Sequence, residues 1–546
     1  MSPTYTRREM LRLTGRAALV GAVGARLSHA AAPAVQTSGA IVGEPTAAQV
    51  GDRMLSNGGN AVDAIVAAAL TAAVVSPHNC GIGGYGGHMV IVMARGSKAV
   101  AIDFNTAAPA AAHGEMFPLD ARGAVTGQIN DHGWLASGVP GTLAGLQLAL
   151  DRHGTKSFRE CVAPAVKLAK DGFQVTPAIA AGVRGTAALL RQDPGSTRLL
   201  LPDGRLLKEG DWFRNPDLAA LLETLAARNS VDAFYRGDIA QHIAAAFQKN
   251  GGLVVAADMA AYRARALRPL ELSWRGFSIR TAPLTAGGLT VIQALTTIKA
   301  LQWENIPAGP VRSQAQVEAL RAAWHDRLTL LGDPEKAKVP VARLLSQDYA
   351  HETARQIQAA VKARRPLEFR TESRPHVGTV HLSCVDAHGN MAALTLTHGN
   401  AFGARVTVEG LGLTLGHGMS RFDPRPDHPN APGPGKRPLH NMCPTVVLRD
   451  GRPVLALGGA GGRKIPSAVF NVLLHFVGLG ATMQTAIAEP RVHTEGNLDL
   501  TAERKWPEAE IESFTAIGFK IQQGSCAVAS AVALEPKTGA IHAAAR

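Results

Sequence analysis

Apolar and polar residues alternate in two short runs late in the chain, and this alternation predicts a β-hairpin. In residues 379–385, polar side chains at 379, 381 and 383 alternate with apolar ones at 380, 382 and 384, which is typical of a strand with one buried face and one face in water. Residues 386–390 have the composition of a turn, and residues 391–397 alternate again. Thr379 opens the first run, and Thr395 and Thr397 share one parity in the second. The predicted hairpin therefore carries hydroxyl groups on one face.

Helical spacing dominates the rest of the pattern. Residues 47–56 have this spacing, and residues 61–75 form a long Ala- and Val-rich helix that Asn60 is placed to cap and that must be buried. Residues 141–365 are mostly of helical period, interrupted by strand candidates such as residues 276–281. Two further expectations concern the surface. Residues 423–438, rich in Pro and Gly, predict a surface loop, and three histidines are expected in loops or at the surface: His78, His88 and His153.

Composition indicates a large globular protein. The chain has 546 residues, of which 46% are hydrophobic and 18% charged, enough for a sizeable core and, from length alone, several domains. The formal charge is +13, but the first 30 residues contribute five arginines and one glutamate, a net of +4, which leaves +9 for the remainder. Lys and Arg are not clustered with aromatic residues, so composition gives no support to nucleic-acid binding.

The amino-terminal segment resembles a twin-arginine export signal. Arg7 and Arg8 precede a short apolar stretch, residues 17–25, which is too short to span a bilayer. Residues 28–30, Ser-His-Ala, then resemble a signal-peptidase site. We therefore expect residues 1–30 to be removed, with a periplasmic or secreted product and no membrane anchor; an amphipathic amino-terminal helix is the alternative.

Cysteine and histidine spacing predicts no metal centre. The five cysteines are scattered and odd in number, which argues against a disulfide framework but leaves a single bridge open. The 19 histidines show no H-E-x-x-H or similar ligand spacing. We expect the protein to need no cofactor and no metal.

Several motifs, together with the hairpin, resemble the γ-glutamyltranspeptidase family of N-terminal-nucleophile hydrolases. The match is collinear from about residue 40 to the end of the chain. It is carried by residues 57–64 (NGGNAVDA), 76–84 (SPHNCGIGG), 139–142 (VPGT), 331–334 (LGDP), 344–346 (LLS), 436–438 (KRP) and 458–462 (GGAGG). The resemblance implies an α/β fold, a four-layer αββα sandwich, in a precursor that cuts itself into a large subunit, residues 31–378, and a small subunit, residues 379–546.

The same resemblance assigns the catalytic residues. Gly378–Thr379 would be the bond that is cut, Thr379 the nucleophile, and Thr397 the second hydroxyl that holds the nucleophile's amino end. Gly461 and Gly462 would donate their backbone N–H groups to the tetrahedral oxyanion. Taken without the family, a Gly-Thr step at a strand start and a glycine turn between strand and helix are both ordinary structural features.

An amino-terminal threonine can act without a separate base. Its α-amino group, with an ordinary pKa of about 7.7 to 8.0, can take the proton of its own hydroxyl group. Before cleavage this nitrogen is an amide. The uncut precursor should therefore be inactive in amide hydrolysis.

The residues expected to bind the substrate depart from the family. Where the family has an arginine this chain has Asn105, and where the family has an asparagine it has Gly399. Two acids of the family are replaced here by Ser420 and Arg421, and two serines of the family by His440 and Asn441. Since the second acid would hold an α-ammonium group, a cation at position 421 inverts the local charge and should repel such a donor.

Three functions remain open at this stage. We favour a self-processing amidohydrolase that forms an acyl-Thr379 ester from a donor without an α-ammonium group, such as a dicarboxylic monoamide or N-acyl amide. The enzyme alternative is ordinary γ-glutamyl transfer or glutathione hydrolysis. The alternative from another class is a processed but inactive periplasmic binding protein. The expected partners are a small-molecule amide and the two subunits of one precursor.

Overall fold

The computed structural model describes residues 39–369 and 378–546. The predicted export signal, residues 1–30, lies outside the described residues. Within the described part of the chain, no helix is long and apolar enough to cross a membrane. The five cysteines are all buried free thiols.

Two six-stranded sheets form the centre of the molecule. In spatial order, the first sheet contains β1 (Gly39–Val42), β9 (Val380–Asp386), β10 (Met391–Thr397), β2 (Gly86–Met93), β3 (Lys98–Asp103) and β6 (Arg265–Leu267). The second contains β19 (Ile541–Ala545), β18 (Val528–Leu534), β14 (Arg452–Ala460), β13 (Thr445–Arg449), β8 (Phe277–Thr281) and β7 (Leu270–Trp274). All neighbouring pairs in both sheets are antiparallel.

Smaller sheets flank this pair. The first joins β15 (Val492–His493), β16 (Asp499–Ala502) and β17 (Lys520–Gln523). Two others are two-stranded and pair β4 (Phe173–Gln174) with β5 (Trp212–Phe213), and β11 (Thr407–Val408) with β12 (Leu413–Thr414).

Helices supply the outer layers. In chain order they are α1 (Pro45–Ser56), α2 (Ala61–Val75), α3 (Thr142–His153), α4 (Phe158–Asp171), α5 (Pro177–Leu190), α6 (Pro194–Leu200), α7 (Pro216–Arg228), α8 (Asp232–Arg236), α9 (Asp238–Lys249), α10 (Ala256–Ala261), α11 (Gly288–Ala300), α12 (Pro310–Leu330), α13 (Val341–Leu344), α14 (Gln347–Lys362), α15 (Lys464–Leu473), α16 (Met483–Ala488) and α17 (Glu508–Ala516). Residues 141–365 are mostly helical, as their period predicts.

The packing is that of an αββα sandwich, which confirms the expected fold class. Val90 and Ala393 of the first sheet lie in one buried cluster with Val446 and Ala456 of the second sheet. The apolar helix α2 covers the outer face of the first sheet, and every one of its residues is buried. As predicted, Asn60 caps this helix by accepting hydrogen bonds from the first turn. Helices α11, α12 and α15 pack on the second sheet.

The hairpin predicted from alternation is β9 and β10, paired in register from Met391 opposite Val385 to Leu396 opposite Val380. The expectation of a wet face is wrong, because every residue of both strands is buried. The polar face meets the second sheet: Ser383 donates a hydrogen bond to the Ser530 carbonyl group. Alternation within one hairpin cannot show that a second sheet covers its polar side.

One surface expectation is wrong, and another holds only in part. His88 lies in β2 with no exposed surface, and its ring centre is 4.6 Å from that of His440, with the two rings tilted by 41°. Residues 423–438 do form a loop without helix or strand, but part of it is buried, since Asn430 and Arg437 are each at most 6% exposed. Backbone and side-chain bonds of Arg437 to Asp333 and Arg263 hold the loop against the body of the protein.

Candidate active site

Thr379, Thr397 and the carbonyl group of Gly378 meet at one end of the hairpin. In the uncut chain, the Thr379 hydroxyl group contacts the Gly378 carbonyl oxygen. Thr397 Oγ1 donates to that same oxygen at 2.8 Å and lies 3.4 Å from Thr379 Oγ1. The structure thus brings the predicted nucleophile and the predicted second hydroxyl group to the bond between Gly378 and Thr379.

Gly399 supports this arrangement through its backbone. Its N–H group donates to Thr397 Oγ1 at 2.8 Å. The residue has a φ of +100°, and a β-carbon there would overlap the imidazole ring of His417. Position 399 therefore has no room for a side chain that could reach a substrate.

Gly461 and Gly462 connect the end of β14 to the start of α15. Their N–H groups have no hydrogen-bond partner among the described residues. A β-carbon on Gly458, three residues earlier, would overlap the ring of His381 in β9, so the end of β14 lies against the strand that Thr379 precedes. Free N–H groups at a helix start favour a developing negative charge.

A cleft of about 560 Å³ opens beside these residues. Ser420, Arg421 and Asn441 line it, as do Arg327 and Arg463, whereas Thr379 and Thr397 are not part of its wall in the uncut chain. Arg463 pairs with Glu495, but no described carboxylate forms an ion pair with Arg327 or Arg421. The cleft wall therefore carries two guanidinium groups without a paired acid, Arg327 buried and Arg421 half-buried.

Cationic side chains outnumber carboxylates among the residues that line the cleft. Burial lowers the pKa of Arg421, and burial together with the charge of Arg463 lowers the pKa of Arg327 to about 9. Such groups are costly to bury unless an anion joins them. Tyr85 connects this wall to the hairpin: burial raises the pKa of its phenol group, while interactions with Arg421 and Thr397 oppose the shift.

Asn105 and His440 are buried behind the cleft and are not part of its wall. The Asn105 amide group donates to Thr285 Oγ1 at 3.1 Å and to the Pro438 carbonyl group at 2.8 Å. The backbone carbonyl group of His440 accepts a hydrogen bond from Arg327. Both side chains are almost fully buried in the protein and form no part of the cleft wall.

The γ-glutamyltranspeptidase family model matches residues 47–546, which is most of the chain. The chain belongs to the γ-glutamyltranspeptidase family. It is 35% identical over 495 residues to the glutathione hydrolase proenzyme of Escherichia coli strain K12, covering 88% of this chain and 84% of that protein. It is also 33% identical over 497 residues to the acylase ACY 1 proenzyme of Pseudomonas sp. strain SE83, covering 90% of this chain and 88% of that protein.

The fold of this family member also resembles that of a solved acylase. The crystal structure of cephalosporin acylase from Bacillus halodurans aligns with a TM-score of 0.83 at 24% identity, covering 95% of this chain and 97% of that chain. At this sequence identity the comparison shows that the two proteins share a fold and shows nothing about activity. The family match and the relatives, a glutathione hydrolase and an acylase, identify the protein as an enzyme of this N-terminal-nucleophile hydrolase family.

Several residues at the site of this enzyme carried no signal in the sequence. Tyr85 lies within a glycine-rich segment, and Arg327 lies on the long helix α12, where an arginine is unremarkable. Asp131 and His417 come together only in the fold, 286 positions apart along the chain. Their roles depend on neighbours that no local pattern specifies.

Proposed function

We propose that this protein is a self-processing amidohydrolase that forms an acyl ester on Thr379 and acts on donors with a carboxylate but no α-ammonium group. Dicarboxylic monoamides and N-acyl amides meet this description. The observation that carries the donor preference is the half-buried Arg421 guanidinium group on the cleft wall, which pairs with no described carboxylate. We further propose that export removes residues 1–30, and that residues 31–378 and 379–546 stay together as large and small subunits.

Self-cleavage would begin with attack of Thr379 Oγ1 on the Gly378 carbonyl carbon. The hydroxyl proton passes to the departing amide nitrogen, and the peptide bond becomes an ester. Water then hydrolyses that ester, leaving a carboxylate on Gly378 and a free amine on Thr379. The hydrogen bond from Thr397 to the Gly378 oxygen supports this step, because it polarises the carbonyl group that is attacked.

Turnover would reuse the same hydroxyl group. The new α-amino group of Thr379 accepts the hydroxyl proton as Oγ1 attacks the amide carbon of the donor. The oxyanion that forms can accept hydrogen bonds from the N–H groups of Gly461 and Gly462, each worth roughly 3 kcal/mol. The amine product leaves with the proton, and water attacks the acyl ester to release the acid.

Charge supports a donor that lacks an ammonium group. An α-ammonium group beside Arg421 and Arg327 would meet two cations in a desolvated wall, and like charges at such distances repel by several kcal/mol. A carboxylate there would instead compensate buried positive charge through strong charge-assisted hydrogen bonds. The asparagine at position 105 is enclosed by Thr285 and Pro438 and offers no replacement for a carboxylate-binding arginine.

Ordinary γ-glutamyl transfer is the second candidate. It is favoured by the name of the Escherichia coli relative, glutathione hydrolase proenzyme, at 35% identity. The acylase relative at 33% identity fits the first candidate equally well. The two candidates differ in one group of the donor, the α-ammonium.

A matched pair of anilides tests this difference directly. Glutaryl anilide and L-γ-glutamyl anilide have the same chain and carboxylate and differ only by the α-amino group. We expect kcat/KM for the glutaryl compound to exceed that for the γ-glutamyl compound by about tenfold or more. Butyryl anilide, which lacks the carboxylate, should be about ten- to a hundredfold poorer than the glutaryl compound. A preference for the γ-glutamyl compound would reject the proposed donor class.

A further inference from the structure

We propose that Asp131 and His417 form a positioning pair, and that this pair sets the rates of self-cleavage and of turnover. The pair holds the turn after β10, residues 398–400, against Gly378 and Thr397. The inference rests on the proposed function for the roles of Thr379 and Thr397. It does not depend on the identity of the donor.

The turn after β10 touches both parts of the cleavage site. The Gly399 N–H group donates to Thr397 Oγ1 at 2.8 Å. On its other side, the Gly399 carbonyl oxygen lies against Gly378, where a β-carbon on Gly378 would come within 2.6 Å of it. A shift of this turn would therefore move the hydroxyl group that polarises the Gly378 carbonyl group, and Gly378 itself.

His417 holds the turn in place. Its ring Nε2 accepts a hydrogen bond from the backbone N–H group of Asn400 at 2.8 Å, and its backbone N–H group donates to the His398 carbonyl oxygen at 3.0 Å. The imidazole ring occupies the space that a side chain at Gly399 would need. The turn is thus fixed by a ring from a separate segment and not by a side chain of its own.

Asp131 orients that ring. His417 Nδ1 lies 3.1 Å from both the carboxylate and the backbone carbonyl oxygen of Asp131. Arg405 holds Asp131 in turn, with hydrogen bonds of 2.8 Å to the carboxylate and 2.7 Å to the carbonyl oxygen. Burial disfavours the ionised form of Asp131, but its hydrogen bonds and charge interactions with His417 and Arg405 outweigh this effect and lower its pKa. An ionised Asp131 makes Nδ1 the protonated nitrogen of His417.

The pair can work only while the imidazole is neutral, because Nε2 must accept a hydrogen bond. His417 has no exposed surface, and the charged groups that face it are Asp131, Arg405 and Arg421. Burial lowers the pKa of His417 although Asp131 acts in the opposite direction. A fully buried ring cannot touch the donor, so His417 is a positioning residue.

Rate measurements on His417→Ala, His417→Gln and wild-type enzyme test the pair, with His351→Ala as control, since His351 is exposed on α14. In His417→Ala we expect self-cleavage and kcat to fall about tenfold or more while KM stays within about twofold. His417→Gln keeps a neutral acceptor and should recover most of both rates. Rates within about twofold of wild type in His417→Ala, or a raised KM with unchanged kcat, would overturn the inference.

The ring itself can be examined without relying on the alanine variant. We expect the NMR spectrum of uncut Thr379→Ala precursor labelled with ¹⁵N-histidine to contain the signal of an imidazole ring with its proton on Nδ1 and none on Nε2. This signal should be absent from the Thr379→Ala/His417→Gln protein, which would assign it to His417. A proton on Nε2 at neutral pH would overturn the inference. Failure of this inference can be told apart from failure of the proposed function. Cleavage elsewhere than between residues 378 and 379 would reject the proposed function. Correct cleavage at the wild-type rate in His417→Ala would reject only the role of the Asp131–His417 pair.

Discussion

Thr397 Oγ1 donates a hydrogen bond of 2.8 Å to the carbonyl oxygen of Gly378, the residue directly before the proposed nucleophile. This bond lies at the junction of the two proposed subunits. It links the second strand of the hairpin to the peptide group that self-cleavage would break. Several measurable consequences depend on it and on the groups around it.

Replacing the Thr397 hydroxyl group should slow self-cleavage. Thr397→Val keeps the shape of the side chain but cannot polarise the Gly378 carbonyl group, so we expect the rate to fall about ten- to a hundredfold. The rate can be followed as the loss of full-length chain on a denaturing gel. Thr395→Val is a suitable control, because Thr395 lies on the same strand but bonds to His381 instead. Equal rates in both variants would show that Thr397 has no such role.

Adding a methyl group at Gly461 should impair turnover. Gly461 has a φ of +143°, and a β-carbon there would come within 2.7 Å of the Ala527 β-carbon, so its N–H group must shift. Loss of one oxyanion donor costs about 3 kcal/mol, which is roughly a hundredfold or more in kcat. Gly480→Ala serves as control, since Gly480 also has a positive φ but open space around it. An unchanged kcat in Gly461→Ala would exclude an oxyanion role.

Arg421 should select the donor. In Arg421→Gln we expect kcat/KM for glutaryl anilide to fall about ten- to a hundredfold, because a charge-assisted contact of roughly 1.5 to 3 kcal/mol is lost. The value for butyryl anilide, which has no carboxylate, should change by less than about twofold. The exposed Arg268 gives a control substitution, Arg268→Gln. If the two donors respond equally to Arg421→Gln, Arg421 does not contact the donor carboxylate.

The stability of the uncut precursor should depend on His381 in mild acid. Burial lowers the pKa of His381 to about 3, whereas the unfolded chain binds that proton near pH 6.5. The folded state therefore binds fewer protons between these values, and stability is lost as the pH falls from about 6.5 towards 3, by about 1.4 kcal/mol per pH unit for this group.

His381→Gln removes this proton difference. Urea unfolding of Thr379→Ala precursor between pH 7 and pH 5 should show a shallower decline in the free energy of unfolding when His381→Gln is added. The exposed His351→Gln should leave the decline unchanged. An equally steep decline with His381→Gln would mean that His381 is not held neutral.

Export provides an independent prediction from the sequence. Arg7→Lys combined with Arg8→Lys should leave folded precursor in the cytoplasm, because the export machinery reads paired guanidinium groups. Cell fractionation with immunoblotting measures this. An undiminished periplasmic yield would indicate another route.

The sequence predicted elements well where a local pattern decides them. The hairpin of β9 and β10, the buried helix α2 with its Asn60 cap and the strand β8 all follow from period and capping residues. Burial was harder to predict. His381 and Ser383 were expected in water, but β14 and β18, which come much later in the chain, supply the surface that covers them.

Prediction of the site shows the same limit. Motifs pointed to the residues around Gly378 because the proposed reacting groups lie close together in sequence. The wall of the cleft could be predicted only in part. Arg421 and Asn441 line the cleft, whereas Asn105 is held by Thr285 from a distant segment, and Arg327 joins the wall from α12. These placements depend on tertiary packing, which residue type and spacing do not specify.

Intact-mass analysis of the purified protein, before and after brief incubation with glutaryl anilide, tests whether Thr379 is both the cleavage point and the acylated nucleophile. We expect a small chain that begins at Thr379 and a transient mass increase of one glutaryl group, which fragmentation places on Thr379. For Thr379→Ala we expect a single uncut chain without adduct. A small chain that begins elsewhere, or an adduct on another residue of the wild-type protein, would show that Thr379 does not have this role.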